Sequence, residues 1–172
     1  MGFTTNEFGF EWLKRKCHAK GMRAHMMHFP DDMCPFHCDA TFVPLRPYLC
    51  IENPSRPMES HEKQVFTDND WKIIKAAQPS TMEMPPLSQC SPWLCMNVLS
   101  LDSKTIFVEE SEKGMIEVFN DAGFDTISVP FRDVFEFGGS FHCVTTDIRR
   151  QGGMQSYFKQ LDAQEAAGSS SN

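Results

Sequence analysis

The chain has 172 residues, 41% hydrophobic and 23% charged, the make-up of one globular domain with its own core. Sixteen Lys and Arg against 23 Asp and Glu leave a net charge of −7, so nucleic acid and anionic membrane surfaces are not expected partners. Seven cysteines, an odd count, do not suit a closed disulfide framework and point to free thiols in a reducing compartment.

No stretch approaches the about 18 apolar residues of a membrane span, and the N-terminus lacks the basic region and apolar core of a signal peptide. Residues 6–19 are expected to form a helix with Phe8, Trp12 and Leu13 on one stripe. Gly21 stops it, Met22 to Phe29 alternates like a strand, and Pro30 to Pro35 is a loop. Asp39 to Val43 and Tyr48 to Ile51 are expected as strands around a Pro-bearing turn, ended by Asn53-Pro-Ser-Arg-Pro57. His61 to Thr67 is helical and Trp71 to Ala76 a β run.

A polar, Pro-rich connection from Pro79 to Pro92 leads to a second round. Trp93 to Leu99 and Thr105 to Val108 make a hairpin about Asp102-Ser103, Glu112 to Asp121 a helix stopped by Gly123, and Phe124 to Val129 a strand. Phe141 to Thr146 opens a third round, and a polar tail expected to be disordered takes up residues 161–172. The order strand–strand–helix–strand thus occurs twice. Its openings look alike around Cys38, Cys95 and Cys143, as in repeats that bury their faces against one another.

Chemistry-bearing residues gather at these openings. Cys143 follows Gly138-Gly139 and precedes Asp147 and the Arg149-Arg150 pair. It is either a nucleophile or a small buried hydrophobe. As a nucleophile it needs help, because a free thiol is only a few per cent ionised at neutral pH. In a strand, His37 and Asp39 share one face. Asp39 then either orients the imidazole or meets a ligand independently. His142, adjacent to Cys143, would face away from it, whereas His37 can converge on it. Arg56 suits a substrate carboxylate, and Ser91, Trp93 and Asn97 surround the second opening. A zinc site among Cys17, His18, His25, His28, Cys34, His37 and Cys38 has only Cys-x3-Cys and His-x2-His spacings, which do not match the usual knuckles.

The strings HCDATF, WLCMNVL and GGSFHCVTTDIRR, in this order, resemble the glycine amidinotransferases, guanidine-modifying (pentein) enzymes with a five-bladed α/β propeller. The resemblance runs from Thr5 to Tyr157 and implies an α/β fold, a partial propeller of about two and a half ββαβ blades. Residues 1–160 would be the C-terminal portion of the propeller domain. It implies transfer of the amidino group of L-arginine to an amine, with glycine as acceptor and guanidinoacetate, the creatine precursor, as product. It makes Cys143 the nucleophile and His37 the general acid/base. Asp39 would hold the guanidinium and Arg56 the substrate carboxylate, with Ser91 and Asn97 lining the substrate. It implies no metal or organic cofactor, small-molecule partners, and a homodimer of the full-length parent in cytoplasm or mitochondria, with any transit peptide upstream. The chain departs from the family at Cys34, where Asn is frequent, and at Cys90, where a serine is expected. A further catalytic Asp of the family would lie upstream of Met1. Three alternatives stay open: an inactive fragment or scaffold, transfer to an amine of a natural-product pathway, and a hydrolase releasing citrulline.

Overall fold

The computed structural model describes residues 5–29, 37–84 and 90–169. The expected loop at Pro30 to Pro35, with Cys34, lies outside these residues, as do positions 85–89 of the second connection.

Helix α1 (Glu7–His18) starts where the Asn6 side chain accepts a hydrogen bond from the Gly9 N–H at 2.9 Å, satisfying one of the donors a helix start leaves open. No residue of α1 is buried, and its apolar stripe is exposed, Phe8 at 88% and Trp12 at 56%. The next segment, 22–29, was expected as a strand but pairs with no strand. Its backbone is tied instead to a buried carboxylate, since the His28 N–H donates to both Glu62 oxygens at 2.8 and 3.0 Å.

The two expected rounds are present as two ββαβ units. In the first, β1 (Phe42–Arg46) runs antiparallel to β2 (Leu49–Glu52), and helix α2 (Ser60–Thr67) leads to β3 (Lys72–Lys75), parallel to β2. The turn between β1 and β2 puts Tyr48 at φ 65°. In the second, β4 (Leu99–Ser100) is antiparallel to β5 (Thr105–Glu109), and helix α3 (Lys113–Asp121) leads to β6 (Asp125–Val129), parallel to β5. The β4–β5 turn is set by Asp102, whose Oδ1 accepts from the Lys104 and Thr105 N–H groups at 2.7 Å each. Those bonds hold its carboxyl below the usual range. Gly123, at φ 83°, lets the chain leave α3 and turn into β6.

The openings of the units differ from expectation. Cys38–Ala40 and Pro92–Met96 are short 3-10 helices, and 141–144 is a turn. Therefore His37 and Asp39 do not share the face of a strand. In Pro92–Met96 the cause is local: Ser91 Oγ accepts from the Trp93 N–H at 3.2 Å, and Pro92 occupies the first helical turn.

One buried cluster joins both units, with Leu45, Leu49 and Ile51 from the first and Ile106, Val108, Met115 and Phe119 from the second. A second cluster, around Phe66 and Trp71, is covered by Met27, Phe29, Tyr157 and Phe158. Residues Lys159–Ser169, in the stretch expected as a polar tail, form helix α4. It is held by Gln160 N–H on Asn69 Oδ1 (2.8 Å) and by the ion pair of Asp162 with Arg23 (2.6 Å). No helix of the described residues is long and apolar enough to cross a membrane.

Candidate functional site

Cys143 sits in a tight turn that three features fix. The 3-10 helix Arg132–Phe137 ends at Gly138, whose φ of 80° suits a residue without a Cβ. At Gly139 an added Cβ would lie 2.6 Å from the Cys143 Cβ, so only glycine leaves room for the thiol. Asn97, 1% exposed, then grips the turn from the second unit. Its Oδ1 accepts from the Ser140 and Cys143 N–H groups at 3.1 and 3.2 Å, while its Nδ2 donates to the Cys143 Sγ at 3.3 Å.

The first unit brings Asp39. Its Oδ2 accepts from the Cys143 thiol at 3.4 Å and lies 3.2 Å from His142 Nδ1. The same oxygen thus serves both neighbours, while Asp39 Oδ1 is buried and has no hydrogen-bond partner among the described residues. A buried acceptor without a donor is costly and marks a place where a ligand N–H fits.

Burial, and next the Asp39 charge, push the Cys143 thiol above its ordinary pKa. The Ser140 N–H and the Asn97 amide oppose this. Cys38 is raised for the same two leading reasons. Burial takes Cys50 up to about 12 and Cys95 also upward. The described cysteines form no disulfide.

The other expected site residues are placed differently. His37 precedes the Cys38–Ala40 helix, exposed and with no side-chain hydrogen bond among the described residues. It is His142, expected to face away, that joins Asp39, because 141–144 is a turn in which neighbouring side chains need not point to opposite sides. Arg56 is 7% exposed, donating to Thr41 Oγ1 at 3.2 Å with its guanidinium 5.7 Å from the Phe29 ring centre. Ser91 is buried as a helix cap, and Trp93 is in the shared core. The Gly138-Gly139 pair was legible in the sequence as a tight turn, whereas His142 gave no functional signal beyond its adjacency to Cys143.

A cavity of about 520 Å³ opens beside Asp39 and His142, between β1, β4 and the segment after Cys143. Its size is that of a small-molecule pocket.

No family model matches the chain. It is 42% identical over 153 residues to the L-arginine:L-lysine amidinotransferase of Pseudomonas savastanoi pv. phaseolicola, spanning 89% of this chain and 41% of that protein. To the mitochondrial glycine amidinotransferase of Xenopus laevis it is 39% identical over 155 residues, 90% of this chain and 36% of that one. Among solved structures, SxtG, an amidinotransferase from Microseira wollei in the saxitoxin biosynthetic pathway, superposes with a TM-score of 0.78 at 35% identity. That match covers 90% of this chain and 42% of the other. The resemblance to amidinotransferases therefore holds over nine tenths of the chain, which spans about two fifths of the length of these curated relatives. The paired ββαβ units are a part of their α/β fold.

Proposed function

We propose that these residues carry amidino transfer from L-arginine to an amine through a covalent intermediate on Cys143. The observation that carries it is the buried, unpartnered Asp39 Oδ1 in a carboxylate that also contacts the Cys143 thiol. A guanidinium N–H supplies the missing donor and sets the guanidinium carbon beside the sulfur. Its positive charge offsets that of Asp39, which adds to burial in raising the thiol pKa, so substrate binding itself favours the thiolate.

In the first half, an imidazole takes the Cys143 thiol proton, and the thiolate attacks the guanidinium carbon and forms a C–S bond. The C–N bond to the side-chain nitrogen of the donor then breaks. That nitrogen takes a proton from the imidazole and leaves as the amine of ornithine. In the second half, the now neutral imidazole takes a proton from the acceptor, and the acceptor nitrogen attacks the amidino carbon. The C–S bond breaks and the thiolate returns. His37 is the imidazole implied by the resemblance. His142, already on Asp39, is the second candidate on geometry. Arg56 takes the carboxylate of the donor, and Ser91 and Asn97 support the substrate and the Cys143 turn.

The glycine amidinotransferase relatives support glycine as acceptor, with guanidinoacetate as product. The L-arginine:L-lysine relative supports lysine in its place. A second reading, binding of guanidines without turnover, is favoured by the His37 side chain, which has no hydrogen bond among the described residues, and by the share of the relatives that the chain spans.

The test is incubation of the 172-residue chain with carbon-labelled arginine and glycine, or lysine. Mass spectrometry of Cys143 and product analysis are the readouts. Expected are a labelled amidino group on Cys143, ornithine release, and loss of both in Cys143→Ser. Citrulline in place of an amidinated amine would assign the hydrolase chemistry. Absence of both the adduct and ornithine would leave the binding reading.

A further inference from the structure

One oxygen of Asp39 holds two neighbours, and an imidazole is the kind of neighbour that changes charge near neutral pH. Asp39 Oδ2 accepts from the Cys143 thiol at 3.4 Å and lies 3.2 Å from His142 Nδ1. A carboxylate has no proton to give, so Nδ1 carries the hydrogen and donates it. That bond is the same whether Nε2 is bare or protonated. What separates the two states is a full positive charge beside the carboxylate. The Asp39 side chain is 18% exposed and that of His142 63%, so the ring exchanges protons with solvent while the carboxylate is largely enclosed.

The other ionisable groups around the ring do not share this behaviour. His142 opens on the cavity that Cys38, Asp39, Asp147 and Arg150 also line, and β1 and β4 bring only uncharged side chains to it. Burial, and next the Asp39 charge, hold the Cys38 thiol above its ordinary range, as they do Cys143. The Arg150 Nε donates to Asp147 Oδ2 at 2.7 Å, and a guanidinium stays charged throughout the neutral range. Carboxylates ordinarily ionise below about pH 5.

We propose that His142 is a positioning residue whose charge decides how well Asp39 holds a guanidinium, so that guanidines bind by displacing a proton from the ring. This rests on the function proposed above only in placing the guanidinium at Asp39. The role differs from that of an acid/base, because the proton goes to solvent and not to the substrate. With the ring neutral, Asp39 presents its whole negative charge, and its Oδ1, without a partner among the described residues, accepts a ligand N–H. With the ring protonated, the imidazolium already compensates the carboxylate and repels the incoming cation. Affinity therefore rises with pH through the imidazole range, and binding releases protons. Two unit charges on one carboxylate of a partly exposed site repel enough for about a tenfold change in affinity.

The test is calorimetric titration of the full chain with L-arginine between about pH 5.5 and 7.5. Every protein carries Cys143→Ser, so that binding is read without an adduct, and two buffers of different ionisation enthalpy report proton release. Arginine should bind about tenfold more tightly at the upper pH, releasing up to about one proton. His142→Gln keeps an N–H donor for Asp39 Oδ2 without a titrating ring, and should hold the tighter affinity at every pH with no proton released. His142→Lys puts a permanent charge there and should hold the weaker affinity throughout. Asp39→Asn should weaken arginine at every pH. If the pH dependence and proton release persist in His142→Gln, the proposal is overturned and the guanidinium site stands. Undiminished binding in Asp39→Asn, or no arginine binding at any pH, overturns the guanidinium reading of Asp39 and this role with it.

Discussion

Asp39 offers one oxygen to two groups and buries the other, so its charge governs the reactivity of its neighbours. The thiol of Cys143 lies above its ordinary pKa first because of burial and then because of this carboxylate. Removing the charge acts in one direction. In Asp39→Asn the carboxylate no longer disfavours the thiolate and no longer accepts the thiol proton, so ionisation begins at lower pH. We expect the pH profile of Cys143 carbamidomethylation, followed by peptide mass spectrometry, to move to lower pH, with reaction at neutral pH several-fold faster. An unchanged or upward-shifted profile would mean that Asp39 does not control the thiol. Cys50 serves as an internal reference, since burial holds it at about 12 and it has no part in this contact. Asn97 is the quieter partner. With both ends of its amide on the Cys143 turn, it sets where the sulfur sits while the carboxylate sets when it ionises.

Between elements, the two ββαβ units are joined by one long side chain as well as by their core. Arg46, at the end of β1, reaches the second unit. Its Nη2 donates to the Ala122 carbonyl at the end of α3 (2.6 Å) and its Nη1 to the Ser103 carbonyl in the β4–β5 turn (3.2 Å). The guanidinium also lies 4.4 Å from the centre of the Phe124 ring. A cation at a helix C-terminus is favourable by itself, and the ring adds a cation–π contact. Arg46→Ala should cost about 2 kcal/mol of unfolding free energy, read as a lower urea midpoint at unchanged slope. Arg46→Lys, which cannot form the fork, should recover only part of it.

What sequence could disclose at this scale divides by length. The helix at Lys113–Asp121 and the strands around it were legible because Met115 and Phe119 recur at helical spacing, Gly123 stops the helix, and Asp102 marks the hairpin. The openings were not, because a run of three to five residues fits a strand period of 2 and a 3-10 period of 3 equally well. The Ser91-Pro92 pair was a helix-start signal in plain sight, outweighed by the apolar residues after it. For the site, Cys143 and Asp39 were identified and are together. The place of His142 depended on knowing that its segment is a turn, and the burial of Arg56 on a Phe29 contact far from it in the chain.

Across the whole molecule the question is whether the two units are separate bodies or one. The largest cluster answers through its membership, since Phe119 of α3 is fully buried with Leu45, Leu49 and Ile51 of the first sheet, and its ring meets Phe124 edge-on at 6.1 Å. A side chain that holds up both units cannot be removed from one alone. Phe119→Ala removes a large buried ring, a change that typically costs about 3–5 kcal/mol, against about 5–15 kcal/mol for a whole domain. For a chain of this size the melting temperature should drop by about 10 °C. The informative probe lies far from the substitution. Trp71 belongs to the other cluster, packed on Phe66 and Phe158, so its environment reports on the first unit and the C-terminal segment. In the Trp12→Phe, Trp93→Phe background, where Trp71 is the one tryptophan left, its fluorescence and far-ultraviolet circular dichroism should fall together and by the same shift. If the Trp71 transition stays at its original temperature while the helical signal moves down, the units unfold independently. The Asp39–Cys143 contact would then be an encounter between two bodies, not a fixed element of one core.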